Sequence, residues 1–192
     1  MRYLAFLVII FIAGAALAQT KFKKFQISKE ISVSLPSDFT PLPDDGIARK
    51  YPASTKPLAV YSNTSGQIDF SVNQKGSQFR PQDLTMLREF YKASLLERFS
   101  KIDFIRQEVT QVKGQDFLVF EFVSSVADER QNSMLAPVQK YSIIQYTILE
   151  NDPKTVRDNQ LLVFTFHSPF NAKNEWQNEA REMMSSIDIK KK

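Results

Sequence analysis

Residues 117–123 read Phe117-Leu118-Val119-Phe120-Glu121-Phe122-Val123. Successive side chains of a strand point to opposite faces, so a half-exposed strand alternates apolar with polar residues. Here both alternate sets are apolar, which predicts a strand covered on its two faces. Lys113-Gly114 marks a turn just before it, and Phe104–Val112 alternates loosely on the other side of that turn. Downstream, Tyr141–Leu149 and Leu161–Phe166 also carry apolar residues in both sets, joined through Asn151-Asp152-Pro153. Short turns between neighbouring strands imply antiparallel pairing, because parallel partners need long crossovers.

A sheet covered on both faces needs two covers, and two segments have the helical period to supply them. In Pro81–Phe99, Leu84, Leu87, Tyr91 and Leu95 step by 3, 4 and 4, and Phe90, Leu96 and Phe99 widen that stripe. Pro81 suits a first helical turn, where its missing N–H is no loss, and Asp83 suits the positive end of the helix dipole. The second segment follows Ser168-Pro169, with Asn171 as N-cap and Glu175 near the helix start. Its apolar face is Trp176, Ala180, Met183, Met184 and Ile187. One helix on each face predicts an α+β fold: a single antiparallel sheet flanked by helices in an α/β/α sandwich.

Upstream, Phe25, Ile27, Ile31, Val33 and Leu35 keep a period of two, predicting one half-buried strand that Pro36 stops. From Pro36 to Pro57 five prolines, with Asp44-Asp45-Gly46 at a turn, predict stiff irregular chain and a short strand around Ala48–Tyr51. Leu58–Ser62 and Gln67–Val72 read as a hairpin about Asn63-Thr64-Ser65-Gly66, with Ile68, Phe70 and Val72 on one face. No repeat or long linker divides the chain, so residues 19–192 are expected to form one domain.

These ordered pieces resemble the PsbP-like family, whose fold is shared by a photosynthetic oxygen-evolving accessory protein, a nuclear Ran-binding protein and many bacterial exported proteins. Ser32-Val33-Ser34-Leu35-Pro36-Ser37-Asp38-Phe39 looks like the family's first strand ending in proline and then an aromatic. Gly114 leading into Phe120-Glu121-Phe122 looks like its central strand. Leu161 to Pro169, with Phe164-Thr165-Phe166-His167-Ser168-Pro169, looks like the last strand and its exit, and Trp176 through Ile187 like the closing helix. The resemblance spans most of residues 25–189 and implies the sandwich architecture and an accessory role. Members of one fold serve unrelated ends, and with no match for metal-site histidines or a chlorophyll-type ligand no family site residue is carried across.

The N-terminus reads as a leader. Arg2 precedes an unbroken apolar run from Leu4 to Leu17, closed by Ala16-Leu17-Ala18 and polar Gln19. That run fits a signal-peptide core of about 7–15 residues and falls short of the roughly 20 a spanning helix needs. Residues 1–18 are therefore expected to be removed between Ala18 and Gln19, with a retained anchor or a buried helix as the alternatives. Export to the periplasm or the outside medium follows. The absence of cysteine suggests a bacterium-like source rather than a disulfide-rich secretory pathway.

Removing Arg2 leaves 24 basic against 21 acidic residues, with lysines gathered at Lys21, Lys23 and Lys24 and at Lys190-Lys191-Lys192. Positive charge at chain ends reads as solvated tails, not a nucleic-acid surface. Without cysteine there is no thiol nucleophile, zinc ribbon or iron–sulfur site. The chain has 5 glycines and no phosphate-cradling motif. His167 is the single histidine; a zinc site would need three carboxylate or water ligands beside it, an unfavourable mixture, and a Ser-His-Asp site would need partners from afar without a nucleophile elbow. A structural role is expected for it. The acidic groups Asp44-Asp45, Asp128-Glu129 and Glu175, Glu179 and Glu182 read as solvated.

The loop Ser124–Val138 runs charged at Asp128, Glu129 and Arg130, then apolar at Met134-Leu135-Ala136-Pro137. Arg130, Met134 and Leu135 are the candidate recognition residues, a flap on the chain's own core being the alternative. The chain thus reads as an exported non-enzymatic accessory or binding protein, without cofactor, catalytic residues or metal, contacting a protein or cell-envelope component. The alternatives are a small-molecule carrier, with a cleft between segment 36–57 and the sheet, and a carboxylate-based hydrolase. N-terminal sequencing of the exported protein is expected to return Gln19 as the first residue; recovery of the chain from Met1 would refute the cleaved leader.

Overall fold

The computed structural model describes residues 20–51, 55–126, 138–152 and 154–190. In chain order the elements are β1 (Phe22–Gln26), β2 (Ile31–Pro36), β3 (Thr40–Pro41), α1 (Asp44–Lys50), β4 (Ala59–Ser62) and β5 (Asp69–Gly76). A 3-10 turn at Pro81–Asp83 leads into α2 (Leu84–Arg98), followed by β6 (Lys101–Val112), β7 (Gln115–Val126), β8 (Val138–Leu149) and β9 (Gln160–Pro169). A second 3-10 turn at Phe170–Ala172 opens α3 (Lys173–Ser186), and β10 (Asp188–Ile189) follows. The main sheet has strand order β3-β4-β5-β9-β8-β7-β6, every pair antiparallel. Among the described residues no helix is long and apolar enough to cross a membrane.

β7 divides the core as its sequence demands. Leu118, Phe120 and Phe122 pack with Leu84, Leu87 and Leu95 of α2. Phe117 and Val119 pack on the other side with Ala180, Met183, Met184 and Ile187 from α3 and its exit. The helices therefore cover opposite faces of an α+β sandwich. Fully burying one such side chain contributes about 1.5–3 kcal/mol. At the β6–β7 turn Lys113 (φ 48°) and Gly114 (φ 80°) are both left-handed, the geometry a two-residue hairpin turn requires. The register slips between Phe104 and Arg106, a bulge in the strand at one margin of the sheet, while the other margin is the two-residue β3 with Pro41.

Four local expectations need correction. The segment 25–35 is not one strand: β1 and β2 form a hairpin pairing Phe25 with Val33, and the Ser28 Oγ accepts the backbone N–H groups of Glu30 and Ile31 at its turn. β2 also pairs with β10, so beside the large sheet stands a separate three-stranded one, packed on the α3 side. The strand expected around Ala48–Tyr51 is the end of α1. Asp44 and Asp45 in its first turn and Arg49 and Lys50 in its last favour a helix dipole, and Ile47 anchors it.

Asn171 is not an N-cap; it lies inside the 3-10 turn, and α3 begins after Ala172 with no side-chain cap. The stripe on α2 is narrower than its apolar residues suggest. Phe90 is 61% and Leu96 51% exposed, leaving Leu84, Leu87 and Leu95 buried and Tyr91 and Phe99 partly so. Pro81 and Asp83 do open this segment, with the Asp83 carboxylate accepting the Arg80 backbone N–H at 2.7 Å.

The charge within the β7 motif fastens α3 to the sheet. Glu121 has no exposed surface. It accepts hydrogen bonds from Arg181 Nη2 (2.8 Å) and Nε (3.1 Å), Gln177 Nε2 (2.7 Å) and the Tyr141 hydroxyl (2.9 Å). Burial alone would raise its pKa; the donated hydrogen bonds and the Arg181 charge outweigh burial and hold it below the ordinary glutamate value of 4.5. Such a group stabilises the fold fully above the unfolded pKa and loses that contribution as pH falls through the folded one. E121Q is expected to be about 3 kcal/mol less stable at neutral pH, the low end for a broken buried pair because the freed Arg181 reaches water. Urea unfolding should show the deficit shrinking below pH 4.5; a constant deficit would refute an ionised Glu121 as its source.

Candidate functional site

The single histidine sits in a row that the sheet register builds. β9 places His167 between Asp69 of β5 and Ser142 of β8, all three on the face that α2 covers. Ser142 Oγ and His167 Nδ1 share a hydrogen bond of 2.7 Å. The Asp69 carboxylate is committed elsewhere: Lys50 Nζ and Ser62 Oγ each donate to Oδ1 at 2.7 Å, and the Tyr51 hydroxyl donates to Oδ2 at 3.0 Å. These bonds also tie the end of α1 to β5. Burial and the Asp69 charge push the Tyr51 pKa up, which keeps its hydroxyl protonated as a donor.

A Ser, a His and an Asp in line invite comparison with a hydrolytic triad, and the geometry fails it on two counts. Asp69 makes no hydrogen bond to His167, so nothing orients the ring as a base. Ser142 is 1% exposed in the middle of a strand paired on both sides, where its neighbours' N–H groups serve the ladder and none is left as an oxyanion donor. The hydroxyl instead fixes the imidazole.

His167 and Ser142 lie on the floor of a cleft of about 760 Å³, and Asp69 borders the space adjoining it. Tyr51 and Pro57 form one wall and Tyr91, Arg98 and Phe99 the other, with Ile144, Tyr146 and Val163 continuing the floor beside the row. Tyr91 stacks on Tyr146 at 4.2 Å between ring centroids, and the Arg98 guanidinium lies 5.8 Å from the centre of the Phe99 ring. The cleft continues toward the strand ends into a space of about 530 Å³ where Lys50, Lys140, Arg98 and His167 meet. A separate cavity of about 420 Å³ at the opposite strand ends, beside Gly114 and Glu150, has no aromatic lining among the described residues.

Desolvation lowers the His167 pKa most, Lys140 and Arg98 push the same way, and Asp69 opposes them; the value falls to about 4. The ring is neutral at pH 7. Arg98 and Lys140 form no ion pair with a carboxylate among the described residues. Among the same residues no three metal-ligating side chains come together.

Of the residues singled out from sequence, His167 lands in the cleft. Ala18 and Gln19, and the loop residues Arg130, Met134 and Leu135, lie outside the described residues, as do Asp128 and Glu129. Asp44 and Asp45 pair with Lys56 and Arg49 on the surface. Ser142, Asp69, Tyr51, Arg98 and Lys140 were missed. They stand far apart along the chain, and only strand register and the α1 and α2 positions bring them together; the lone His167 was the one marker.

No family model matches the chain, and no curated protein sequence matches it. Solved structures share its fold. Cyanobacterial PsbP (CyanoP) from Synechocystis sp. PCC 6803 superposes with a TM-score of 0.53 at 11% identity, covering 91% of this chain and 96% of its own. LpqN, involved in cell envelope biogenesis of Mycobacterium tuberculosis, gives 0.53 at 8% identity, covering 90% and 92%. The Saccharomyces cerevisiae Ran-binding protein Mog1p gives 0.51 at 12% identity, covering 88% and 96%. The chain therefore has the PsbP-like α+β fold. At these identities the likeness is one of architecture.

A histidine whose folded pKa lies below its unfolded 6.5 costs stability as the unfolded chain takes up a proton first. Stability should fall as pH drops from 6.5 toward 4, and H167Q should remove that part of the slope. In an NMR titration the imidazole is expected to titrate near pH 4 and to move upward in K140Q. A midpoint near 6.5 in the unaltered protein would refute the half-buried, cation-flanked ring.

Proposed function

We propose that the chain is an exported, non-enzymatic binding protein of the cell envelope whose ligand seats in the cleft on the α2 face. The observation that carries this is the cleft itself: about 760 Å³, within the roughly 300–1,000 Å³ of small-molecule sites, with a few polar groups converging on an aromatic lining. Export rests on the N-terminal leader, with residues 1–18 removed and 19–192 acting as one PsbP-like domain. Fold likeness to an envelope-biogenesis protein and to a Ran-binding protein supports binding over catalysis. Arg130, Met134 and Leu135, charged and then apolar, are the proposed contact with an envelope partner.

The test is native mass spectrometry of the protein recovered from the exported fraction of its source cell. A bound species of a few hundred daltons is expected in the unaltered protein, and its loss is expected in V163W, which fills the cleft floor. Retention of the same species by V163W would overturn the cleft as the binding site.

A further inference from the structure

We infer that the cleft selects an amphipathic organic anion, with its acidic group held beside His167 between Arg98 and Lys140 and its apolar body laid against Tyr91, Phe99 and Val163. The inference rests on the cleft being a binding site and assigns the chemistry of what it takes.

Charge is the first argument. Three cationic groups border the space around His167, and Lys50 is neutralised by Asp69 at 2.7 Å. Arg98 and Lys140 have no such partner among the described residues, and the carboxylate bordering that space is already saturated by Lys50, Ser62 and Tyr51. Two uncompensated positive charges at one end of a cleft attract an anion and repel a cation. An arginine there adds a planar fork of N–H donors matched to a carboxylate, sulfonate or phosphate.

The second argument is the histidine. Nδ1 is engaged with Ser142, and Nε2 has no hydrogen-bond partner among the described residues. With Ser142 donating to Nδ1, the neutral ring carries its proton on Nε2 and offers that N–H to a ligand. The third is the lining. Tyr91, stacked over the buried Tyr146, and Phe99 are partly exposed and make an aromatic wall that a bare inorganic ion would leave uncovered, whereas a flat or extended apolar body would bury it. Size agrees, because the cleft is far larger than a phosphate needs.

The probes are 8-anilinonaphthalene-1-sulfonate and N-phenyl-1-naphthylamine, the same ring system with and without the acidic group, titrated by fluorescence against the full mature chain. The sulfonate is expected to bind about tenfold or more tightly than the neutral dye. R98Q/K140Q, altered at two exposed positions, should weaken the sulfonate about tenfold or more and the neutral dye far less. Added salt should weaken the sulfonate alone. Equal binding of the two dyes, or a sulfonate affinity untouched in R98Q/K140Q, overturns the anion assignment and leaves the cleft as a site. Failure of both dyes to bind, or binding that V163W does not diminish, overturns both. Displacement of the sulfonate by dissolved decanoate identifies a free organic acid, and displacement by phosphatidylglycerol vesicles alone a lipid headgroup; either supports the anion site.

Discussion

A strand with apolar side chains on both of its faces cannot meet water on either, and β7 imposes that condition on the whole molecule. Phe117 and Val119 need one cover, Leu118, Phe120 and Phe122 another, and the covers must arrive from opposite sides. α2 and α3 supply them. The only charge in the run, Glu121, faces α3 and is met there by Arg181 and Gln177, so the same strand that demands a helix also fixes where that helix lies. Apolar burial provides the magnitude of the contact; the carboxylate with its four donated hydrogen bonds provides its register.

The two faces then diverge. On the α3 side the small sheet fills the space the helix leaves, with Ile31, Val33 and Leu35 joining the core and Ser186 bonding the Ser34 backbone. On the α2 side nothing equivalent among the described residues closes the ends of β5, β9 and β8. Polar residues face outward there, α1 leans in through Tyr51 and Lys50, and a cleft remains between the two helices. The cleft is a consequence of unequal covering.

Legibility in the sequence follows from how local each determinant is. β7, the Lys113-Gly114 turn and the covering helices were readable because periodicity and turn chemistry are properties of neighbouring residues. The break between β1 and β2 was not, since Ile27 and Ile31 share parity and a four-residue reversal preserves the alternation. α1 was hidden by the surrounding prolines, although Asp44, Asp45, Arg49 and Lys50 bear the dipole pattern of a helix. The width of the α2 stripe was overread because Phe90 and Leu96 are apolar yet point past the sheet's surface. Of the site, His167 alone was visible; that Ser142 and Asp69 flank it is a fact of pairing register, which no single segment encodes.

The margins of the large sheet have a bearing on how the protein behaves in company. A long straight border strand is a template on which a foreign chain can grow. Here one border is interrupted by the slip at Phe104–Arg106 and carries Lys101, Asp103, Arg106 and Glu108, while the other is two residues ending in a proline that has no N–H to offer. Neither margin of the large sheet offers a long uninterrupted ladder, so edge-to-edge growth of that sheet onto a second copy is disfavoured.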